Sequence, residues 1–405
     1  MSLPEAVRRE SPSTAAGAPG VIEGELIVHL SWDGCRVRRV AVRSTRPFAA
    51  ARVLTGKTSP AALAAVPLLF GICRHAQGAA AAAAIGAAAN VPENMTRLEL
   101  PVVLEAVQQY LWHLLIDWPE AMGREAVVAP VAAARRSIAA AARAADGATA
   151  RTAELRELRS TLEELARQTI YGMPSAAWLA LEDLRGLQTW IDRSETIPAL
   201  LLGELLRETP MLGTSDIAPM PRARREALCS IVSAMKRDPD FARAPSWGGA
   251  PVETGALARM QAHPAVVAVI ARCGNAVATR AVARLAELAT LLARLGDAAD
   301  ASGTPPDGAP DDPWVQAFEL APGEGIGAVQ SARGLLVHRA LLADGRVADY
   351  QIVAPTEWNF HPDGPLARGL AGLEADGEVT LLRRARIAVQ ALDPCVPFRV
   401  GVGHA

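Results

Sequence analysis

Hydrophobic and polar residues alternate along two short stretches near the start of the chain. Residues 25–30 and 36–42 both alternate, and Asp33-Gly34 lies between them. A period of two is typical of a half-buried strand, and Asp-Gly between two such runs is typical of a tight turn. The pattern therefore predicts a β-hairpin over residues 24–43.

The middle of the chain changes to helical spacing. Ser59-Pro60 marks a helix start, with serine as cap and proline at the first helical position. From Leu98, apolar residues recur every three or four positions until Trp118-Pro119, where proline predicts the end of the helix. The same spacing predicts six further helices over residues 124–145, 152–168, 174–192, 197–207, 221–237 and 264–297. In the last of these, Arg and Glu are spaced as on a solvated face.

The last quarter of the chain returns to strands. Residues 299–313 are rich in Pro, Gly and Asp and predict an exposed loop or linker. Residues 334–342 and 346–354 flank Asp344-Gly345, which predicts a second hairpin. A final helix is expected at about 378–392.

Composition limits the class of protein. The chain has 405 residues, is 50% hydrophobic and carries a formal charge of −2, so it can bury a large core as one big domain or two. Near-neutral charge gives no attraction to nucleic acid or to an acidic membrane. Residues 1–19 lack the apolar core of a signal peptide and are expected to form a disordered tail. No stretch predicts a membrane span.

Five cysteines, at positions 35, 73, 229, 273 and 395, form no CxxC pair, which disfavours a zinc finger. Their odd number and lack of paired spacing fit the reducing cytoplasm. Cys35 is interpreted as incidental, and Cys229 and Cys273 as small buried hydrophobic residues in helices.

Two cysteines lie at stiff corners of the backbone. Cys395 follows Asp393-Pro394, and Cys73 follows Gly71 just before an alanine-rich run. If the corners meet, two thiolates converge on one buried place, which suits a soft metal. The alternative is two buried, inert cysteines.

Tyr110, Trp112, His113 and Trp118 share one predicted helix. Such a stripe could line a cofactor, but aromatic residues at helical spacing belong more often to the core. The core interpretation is therefore favoured.

Several segments, in shared order, resemble the large subunit of nickel–iron hydrogenases. They cover about 20–118 and 320–405, and the middle of the chain shows no match. Residues 350–359 follow that family's Tyr-Gln-x-Val-x-Pro-[Ser/Thr]-x-Trp-Asn pattern, and Asp393-Pro394-Cys395 follows the start of its carboxyl-terminal motif. The other segments are Val21-Ile22-Glu23-Gly24, Phe70-Gly71-Ile72-Cys73, Asn90-Val91-Pro92-Glu93-Asn94 and Ser331-Ala332-Arg333-Gly334.

The departures from that family bear on function. Its members hold their nickel–iron site with four cysteines, two in each motif. Here Phe70 and Phe398 replace one cysteine of each motif, leaving Cys73 and Cys395. The motif histidines are replaced by Gln77 and Gly401. Two thiolates cannot complete a nickel–iron site, so hydrogenase activity is not expected.

This pattern resembles the HupK/HoxV type of hydrogenase maturation protein. The resemblance implies a non-catalytic scaffold or carrier for an iron–dicyanide–carbonyl unit, delivered later to the hydrogenase large subunit. Cys73 and Cys395 would hold the metal, Arg333 and Thr356 would lie beside the cyanides, and Glu23 would line the same pocket. Maturation chaperones and the large subunit are the implied partners, in the cytoplasm.

Other interpretations of these residues remain open. Without the resemblance, Arg333 would be read as a surface charge beside a hairpin and Thr356 as a turn residue. The protein as a whole could be a metal-free mimic of the large subunit that binds chaperones or a small subunit, or an oxidoreductase with an unusual site. The sequence ends at Ala405, a few residues past the motif, and we expect no extension for a protease to remove.

The resemblance and the pattern together imply the fold. We expect a single domain over 20–405, mainly helical α+β, with the large-subunit-like fold of nickel–iron hydrogenases. A central bundle of long helices would carry β-hairpins at its periphery. Phe70 and Phe398 are expected to fill the space of the missing thiols.

Overall fold

The computed structural model describes residues 24–91, 93–143, 148–300 and 313–404. Its strands are β1 Leu26–Trp32, β2 Val37–Ser44, β3 Val315–Ala321, β4 Glu324–Ser331, β5 Gly334–Ala343, β6 Arg346–Val353 and β7 Phe398–His404. The first helices are α1 Ser59–Leu69, α2 Arg74–Ala88, α3 Met95–Trp112, α4 Trp118–Ala121, α5 Val128–Arg143, α6 Ala148–Ala166, α7 Ser175–Leu179 and α8 Leu184–Arg193. The remaining ones are α9 Ile197–Glu208, α10 Arg225–Arg237, α11 Ala256–Met260, α12 Pro264–Cys273, α13 Val277–Asp300, α14 Pro355–Asn359, α15 Pro365–Leu370 and α16 Glu378–Ala391.

The hairpin predicted near the amino terminus is confirmed as β1 and β2, which pair antiparallel. The sheet has a third strand, β7, which runs parallel to β1 with Leu26 opposite Phe398. Strand β7 was not predicted, although Phe398, Val400 and Val402 alternate along it, because the segment is short and its two glycines weaken the strand signal. This pairing brings the two ends of the described chain together, and it fixes the position of the segment that follows Cys395.

The second sheet is an antiparallel meander in the order β3-β4-β5-β6. The hairpin at Asp344-Gly345 is confirmed, and Asp344 adopts the left-handed conformation (φ 51°) that such a turn requires. Strands β3 and β4 were not predicted. Every residue of β4 is buried, so the strand shows no alternation of polar and apolar positions.

The alanine-rich helix α2 packs directly on β4. Two glycines of that strand allow the close approach: a Cβ on Gly327 would lie 2.1 Å from the Ala80 carbonyl oxygen, and one on Gly325 would lie 2.3 Å from that of Ala84. Backbone therefore meets backbone with no side chain between them. The alanine-rich run therefore forms a narrow, closely packed helix, and Cys73 lies at its amino terminus, beside the sheet.

Helix α13 runs through the core, and the prediction of a solvated charged face on it is wrong. Arg280, Arg284 and Glu287 are 3%, 6% and 2% exposed. Two of these charges are paired inside the protein: Arg280 binds Glu253 at 2.7 Å, and Glu287 accepts from Arg259. Arg284 forms no ion pair among the described residues, and it contacts His113 and the Ala391 carbonyl oxygen instead. A buried charge needs a partner to offset the cost of leaving water. The helical spacing of the charges could not show whether they form buried ion pairs or face solvent.

Three helix predictions need smaller corrections. The segment 264–297 is two helices, because Gly274 turns the chain at φ 64°. The segment 174–192 is likewise two, α7 and α8. The helix expected to stop at Trp118-Pro119 instead passes through one π-helical turn, His113–Asp117, into α4. Pro119 lies in the first turn of α4, where proline is tolerated.

Three of the four residues of the predicted stripe agree with the core interpretation: Tyr110, His113 and Trp118 are buried, whereas Trp112 is only partly buried and packs against the core. Among the described helices, none is long and apolar enough to cross a membrane. The expected tail 1–19 and residues 301–312 of the expected loop lie outside the described residues.

Candidate functional site

Cys73 lies at the amino terminus of α2, in the capping position, yet its side chain makes no capping hydrogen bond. Glu105 of α3 caps the helix instead, because its carboxylate accepts hydrogen bonds from the backbone N–H groups of His75 (2.8 Å) and Ala76 (3.1 Å). The first turn of the helix is therefore satisfied without the thiol. The sulfur of Cys73 is left available to face the interior of the site.

Cys395 follows the end of α16, where Asp393 adopts a left-handed conformation (φ 52°). Arg333 fixes this corner: its Nε donates to the Asp393 carbonyl oxygen at 3.0 Å, and its Nη2 donates to Oδ1 at 3.0 Å. Two parallel contacts from one guanidinium set both the position and the orientation of the corner.

One glutamine links the two cysteine corners. Gln109 on α3 donates to the carbonyl oxygen of Ile72, next to Cys73, at 3.0 Å. Its own side-chain oxygen accepts from Arg333, which holds Asp393. A continuous set of polar contacts therefore fixes the Cys73 corner relative to the Cys395 corner.

Cys73 and Cys395 line the same pocket. Burial raises the pKa of the Cys73 thiol to about 12, and the nearby Cys395 adds to the shift. The charges of Arg333 and Arg46 act in the opposite direction. At neutral pH the Cys73 thiol therefore keeps its proton, and a bound metal would have to displace it.

Two polar side chains contact the sulfur of Cys395. The Thr356 hydroxyl lies 3.0 Å from it, and Nη1 of Arg46 donates to it at 3.5 Å. Thr356 is 2% exposed, so it is neither a free surface group nor an ordinary turn residue. The same Nη1 donates to Oε1 of Glu357 at 3.0 Å.

Two residues that line the pocket, Arg46 and Glu357, were not predicted from the sequence. Arg46 lies in the loop after β2, outside every matched motif, so no pattern pointed to it. Glu357 occupies the unspecified position of the Pro-[Ser/Thr]-x-Trp-Asn pattern. Its Oε2 is buried without a hydrogen-bond partner, and burial raises the pKa of its carboxyl.

The remaining predicted residues have different outcomes. Phe70 lines the cysteine pocket, whereas Phe398 begins β7 and is not among the lining residues. Arg333 lines a neighbouring small cavity rather than the cysteine pocket, since its guanidinium turns toward Asp393 and Gln109. Glu23 lies outside the described residues.

A second polar cluster, His113, Asp117 and Asp393, adjoins the site, with ligand atoms within 4.8 Å of one another. Its arrangement does not suit a cation. Nη1 of Arg284 lies 2.9 Å from His113 Nε2 and can only donate, so the proton of the neutral ring is on Nδ1. Nδ1 then faces Oδ2 of Asp117 (3.8 Å) as a donor, not as a metal ligand.

The side chains of the cysteine pocket supply the donors for a soft-metal site. Two thiols could ligate one soft metal, and the guanidinium of Arg46 with the hydroxyl of Thr356 could donate hydrogen bonds to anionic ligands on it. Of the described residues that line the pocket, two are cysteines. A four-thiolate nickel–iron site does not fit this donor set.

Comparisons with known proteins identify the fold. The family model described as nickel-dependent hydrogenase matches residues 232–398. The structure is similar to that of the nickel–iron–selenium hydrogenase from Desulfovibrio vulgaris Hildenborough, with a TM-score of 0.54 at 16% identity, covering 93% of this chain and 99% of that one. The fold is therefore that of nickel–iron hydrogenase large subunits, as the sequence predicted.

Curated relatives match over nearly the whole chain. The hydrogenase expression/formation protein HoxV of Cupriavidus necator is 33% identical over 387 residues, which cover 89% of this chain and 92% of HoxV. The hydrogenase expression/formation protein HupK of Azotobacter vinelandii is 35% identical over 390 residues, covering 94% and 99%. On this similarity, the chain belongs to the HoxV/HupK family of hydrogenase expression/formation proteins.

Proposed function

We propose that this protein acts in hydrogenase maturation as a non-catalytic scaffold or carrier in the cytoplasm. Its cargo would be an iron carrying two cyanides and one carbonyl, held by Cys73 and Cys395 before delivery to a hydrogenase large subunit. Maturation chaperones would bring the cargo or take part in its release. The observation that carries the proposal is the meeting of two cysteines in one pocket beside Arg46 and Thr356.

Charge supports this choice of cargo. An iron(II) with two cyanides and one carbonyl is neutral, and two thiolates would give the assembly two negative charges. Arg46 and Arg333 supply positive charge near both sulfurs, and each is paired with one carboxylate, Glu357 or Asp393. Burial raises the pKa of the Glu357 carboxyl, so uptake of a proton there would leave net positive charge for the cargo. A buried anion needs paired cations and donors, and a bare divalent cation would need more ligands than two cysteines provide.

The hydrogen-bond donors support it too. Cyanide nitrogens in a buried site need donors, because an unsatisfied acceptor there costs about 1–3 kcal/mol. Thr356 and Arg46 reach the sulfur of Cys395 and could reach a ligand on a metal bound there. Arg333 keeps two N–H groups beyond its three bonds to Asp393 and Gln109.

The test compares cysteine variants purified from cells that contain the iron-delivering maturation proteins. Wild-type protein should carry iron and show infrared bands of cyanide and carbonyl. Cys73→Ala should abolish both, and Cys395→Ala should reduce them less, because the hydrogenase position that Cys395 matches binds nickel, whereas the one that Cys73 matches also binds iron. Hydrogenase activity in the same cells should fall in parallel.

Cys35→Ala and Cys229→Ala are the matched controls, since Cys35 is exposed and Cys229 lies on α10, outside the pocket. Both should keep the bands and full maturation. If Cys73→Ala and Cys395→Ala also support full maturation, the scaffold proposal is wrong. The protein would then act as a metal-free mimic of the large subunit that offers only its surface to chaperones.

A further inference from the structure

Gln77, which replaces a motif histidine, lies one helical turn after Cys73 and is 1% exposed. Its Nε2 is 3.8 Å from the sulfur of Cys73. This contact is long, but sulfur is a large acceptor. A glutamine amide can present either its N–H₂ or its carbonyl to a neighbour, so the contact has value only if the orientation is fixed.

A buried pair on the second sheet fixes that orientation. Oε1 of Gln77 lies 2.9 Å from Nε2 of His338, and Nδ1 of His338 lies 2.7 Å from the hydroxyl of Tyr350. An amide oxygen only accepts, so the His338 proton is on Nε2. Nδ1 is then an acceptor, and Tyr350 donates to it. All bonds in this chain point from Tyr350 toward Cys73.

We propose that His338 and Tyr350 are positioning residues that lock the amide of Gln77 with its N–H toward the sulfur of Cys73. The proposal rests on the scaffold function above, because it assigns this series of hydrogen bonds a role at the sulfur that would bind the metal. A metal-bound thiolate carries no proton and can only accept. An amide turned by 180° would place its carbonyl oxygen against that sulfur and repel it.

Burial keeps this series of hydrogen bonds rigid and uncharged. His338 is 0% exposed and Tyr350 is 3% exposed. Burial lowers the pKa of His338 to about 3, so the ring stays uncharged over the physiological range. His338 and Tyr350 lie on paired strands, β5 and β6, with their rings 5.5 Å apart in an edge-to-face arrangement.

The tautomer of His338 tests the proposal without any cargo. Nitrogen-15 NMR of the full chain, with labelled histidine and His338→Gln to assign the signal, distinguishes the two ring tautomers. The Nε2–H form is expected. The Nδ1–H form would overturn the proposal, since it reverses every bond from Tyr350 to Gln77.

Tyr350→Phe removes the hydroxyl that donates to His338, at the start of this series of hydrogen bonds, and leaves the packing nearly unchanged. Loss of one buried hydrogen bond changes an equilibrium by about threefold to tenfold. We expect iron to be released about threefold to tenfold faster, and the cyanide and carbonyl bands to move to lower wavenumber, because the sulfur donates more charge to iron. Bands and release rate identical to the wild type would overturn the proposal.

Tyr171→Phe is the matched control. Tyr171 is also buried, and its hydroxyl donates to the Leu285 carbonyl at 2.8 Å, away from the cysteine pocket. This variant should lose a similar amount of stability in thermal unfolding while keeping the bands. Equal band shifts in both variants would mean a general loss of stability and overturn the positioning role.

A pair of substitutions at His338 separates shape from hydrogen bonding. His338→Gln can still donate toward Gln77 and should retain iron better than His338→Leu; equal loss in the two would contradict the proposal. If the wild type carries no iron unit at all, the scaffold function fails. The tautomer measurement on the cargo-free protein still decides the orientation of Gln77.

Discussion

Arg46 lines the pocket although no sequence motif indicated it, and it donates hydrogen bonds to both Cys395 and Glu357. Arg46→Leu should remove a charged donor from the thiolate. Hydrogen bonds to charged groups contribute about 1.5–3 kcal/mol, so cargo release should be about 10- to 100-fold faster. The measurement is iron retained on the purified variant over time.

Arg46→Lys is the control for charge. It keeps the positive charge but loses the planar fork that reaches two partners, so its retention should lie between that of the wild type and Arg46→Leu. Retention equal to the wild type in Arg46→Leu would show that Arg46 does not hold the cargo.

At the scale of single residues, the sequence pointed to Cys73, Cys395 and Thr356 but not to the rest of their surroundings. These three residues lie in segments that resemble hydrogenase motifs, and the resemblance, rather than any spacing along the chain, implied that they share one pocket. Arg46 and Gln109 reach the site through tertiary folding, and neither spacing nor composition records that. Arg333 was expected beside the cargo, but it lines a neighbouring cavity, and its bonds to Asp393 hold the Cys395 corner.

At the scale of elements, Glu105 of α3 connects that helix to the start of α2. Burial raises the pKa of its carboxyl from 4.5 to about 7. The folded protein therefore binds a proton at this group where the unfolded chain has lost it. The free energy of unfolding should fall as pH rises from about 4.5 to about 7, by up to about 1.4 kcal/mol per pH unit.

Glu105→Gln keeps the shape of the side chain and an acceptor for the α2 backbone but cannot titrate. Its unfolding free energy, measured by urea denaturation between pH 4.5 and 8, should fall less steeply than that of the wild type. Asp117, whose pKa burial also raises to about 7, contributes in the same direction in both proteins. Parallel curves for the two proteins would contradict the assignment to Glu105.

The contact between α2 and β4 gives a second prediction for elements. Gly327→Ala would place a methyl group 2.1 Å from the Ala80 carbonyl oxygen, so the helix must move. Overpacking of this kind costs about 1–3 kcal/mol. Because α2 begins beside Cys73, iron retention should fall together with the melting temperature.

Gly401→Ala is the matched control for that substitution. Gly401 also lies in a strand, but an added Cβ would meet only Cδ2 of His29, at 3.9 Å. Its stability should stay close to that of the wild type. Equal stability of Gly327→Ala would show that α2 does not rest on the β4 backbone as described.

At the scale of the whole molecule, the sequence predicted the fold largely by resemblance and the hairpins by turn chemistry. Asp33-Gly34 and Asp344-Gly345 are local signals, and both hairpins are present. Strands β3, β4 and β7 depend on partners far along the chain, and β4 is buried along its whole length. The buried ion pairs of α13 were missed because charge spacing alone resembles that of a solvated helix.

The arrangement of the whole chain explains how two distant cysteines meet. Helix α2 carries Cys73 over the second sheet, while the parallel pairing of β7 with β1 holds the segment after Cys395. Arg333 and Gln109 then fix the two corners relative to each other. The pocket thus depends on contacts between the two ends of the described chain.

Iron X-ray absorption, on protein purified from cells with the complete maturation machinery, directly tests whether Cys73 and Cys395 hold one iron. We expect one iron per chain with two sulfur ligands and several light, linear ligands. Cys73→Ala should lack this signal, and Cys35→Ala should keep it. If the protein supports maturation but contains no iron, or iron without sulfur ligands, the two cysteines are not the site of a carried iron.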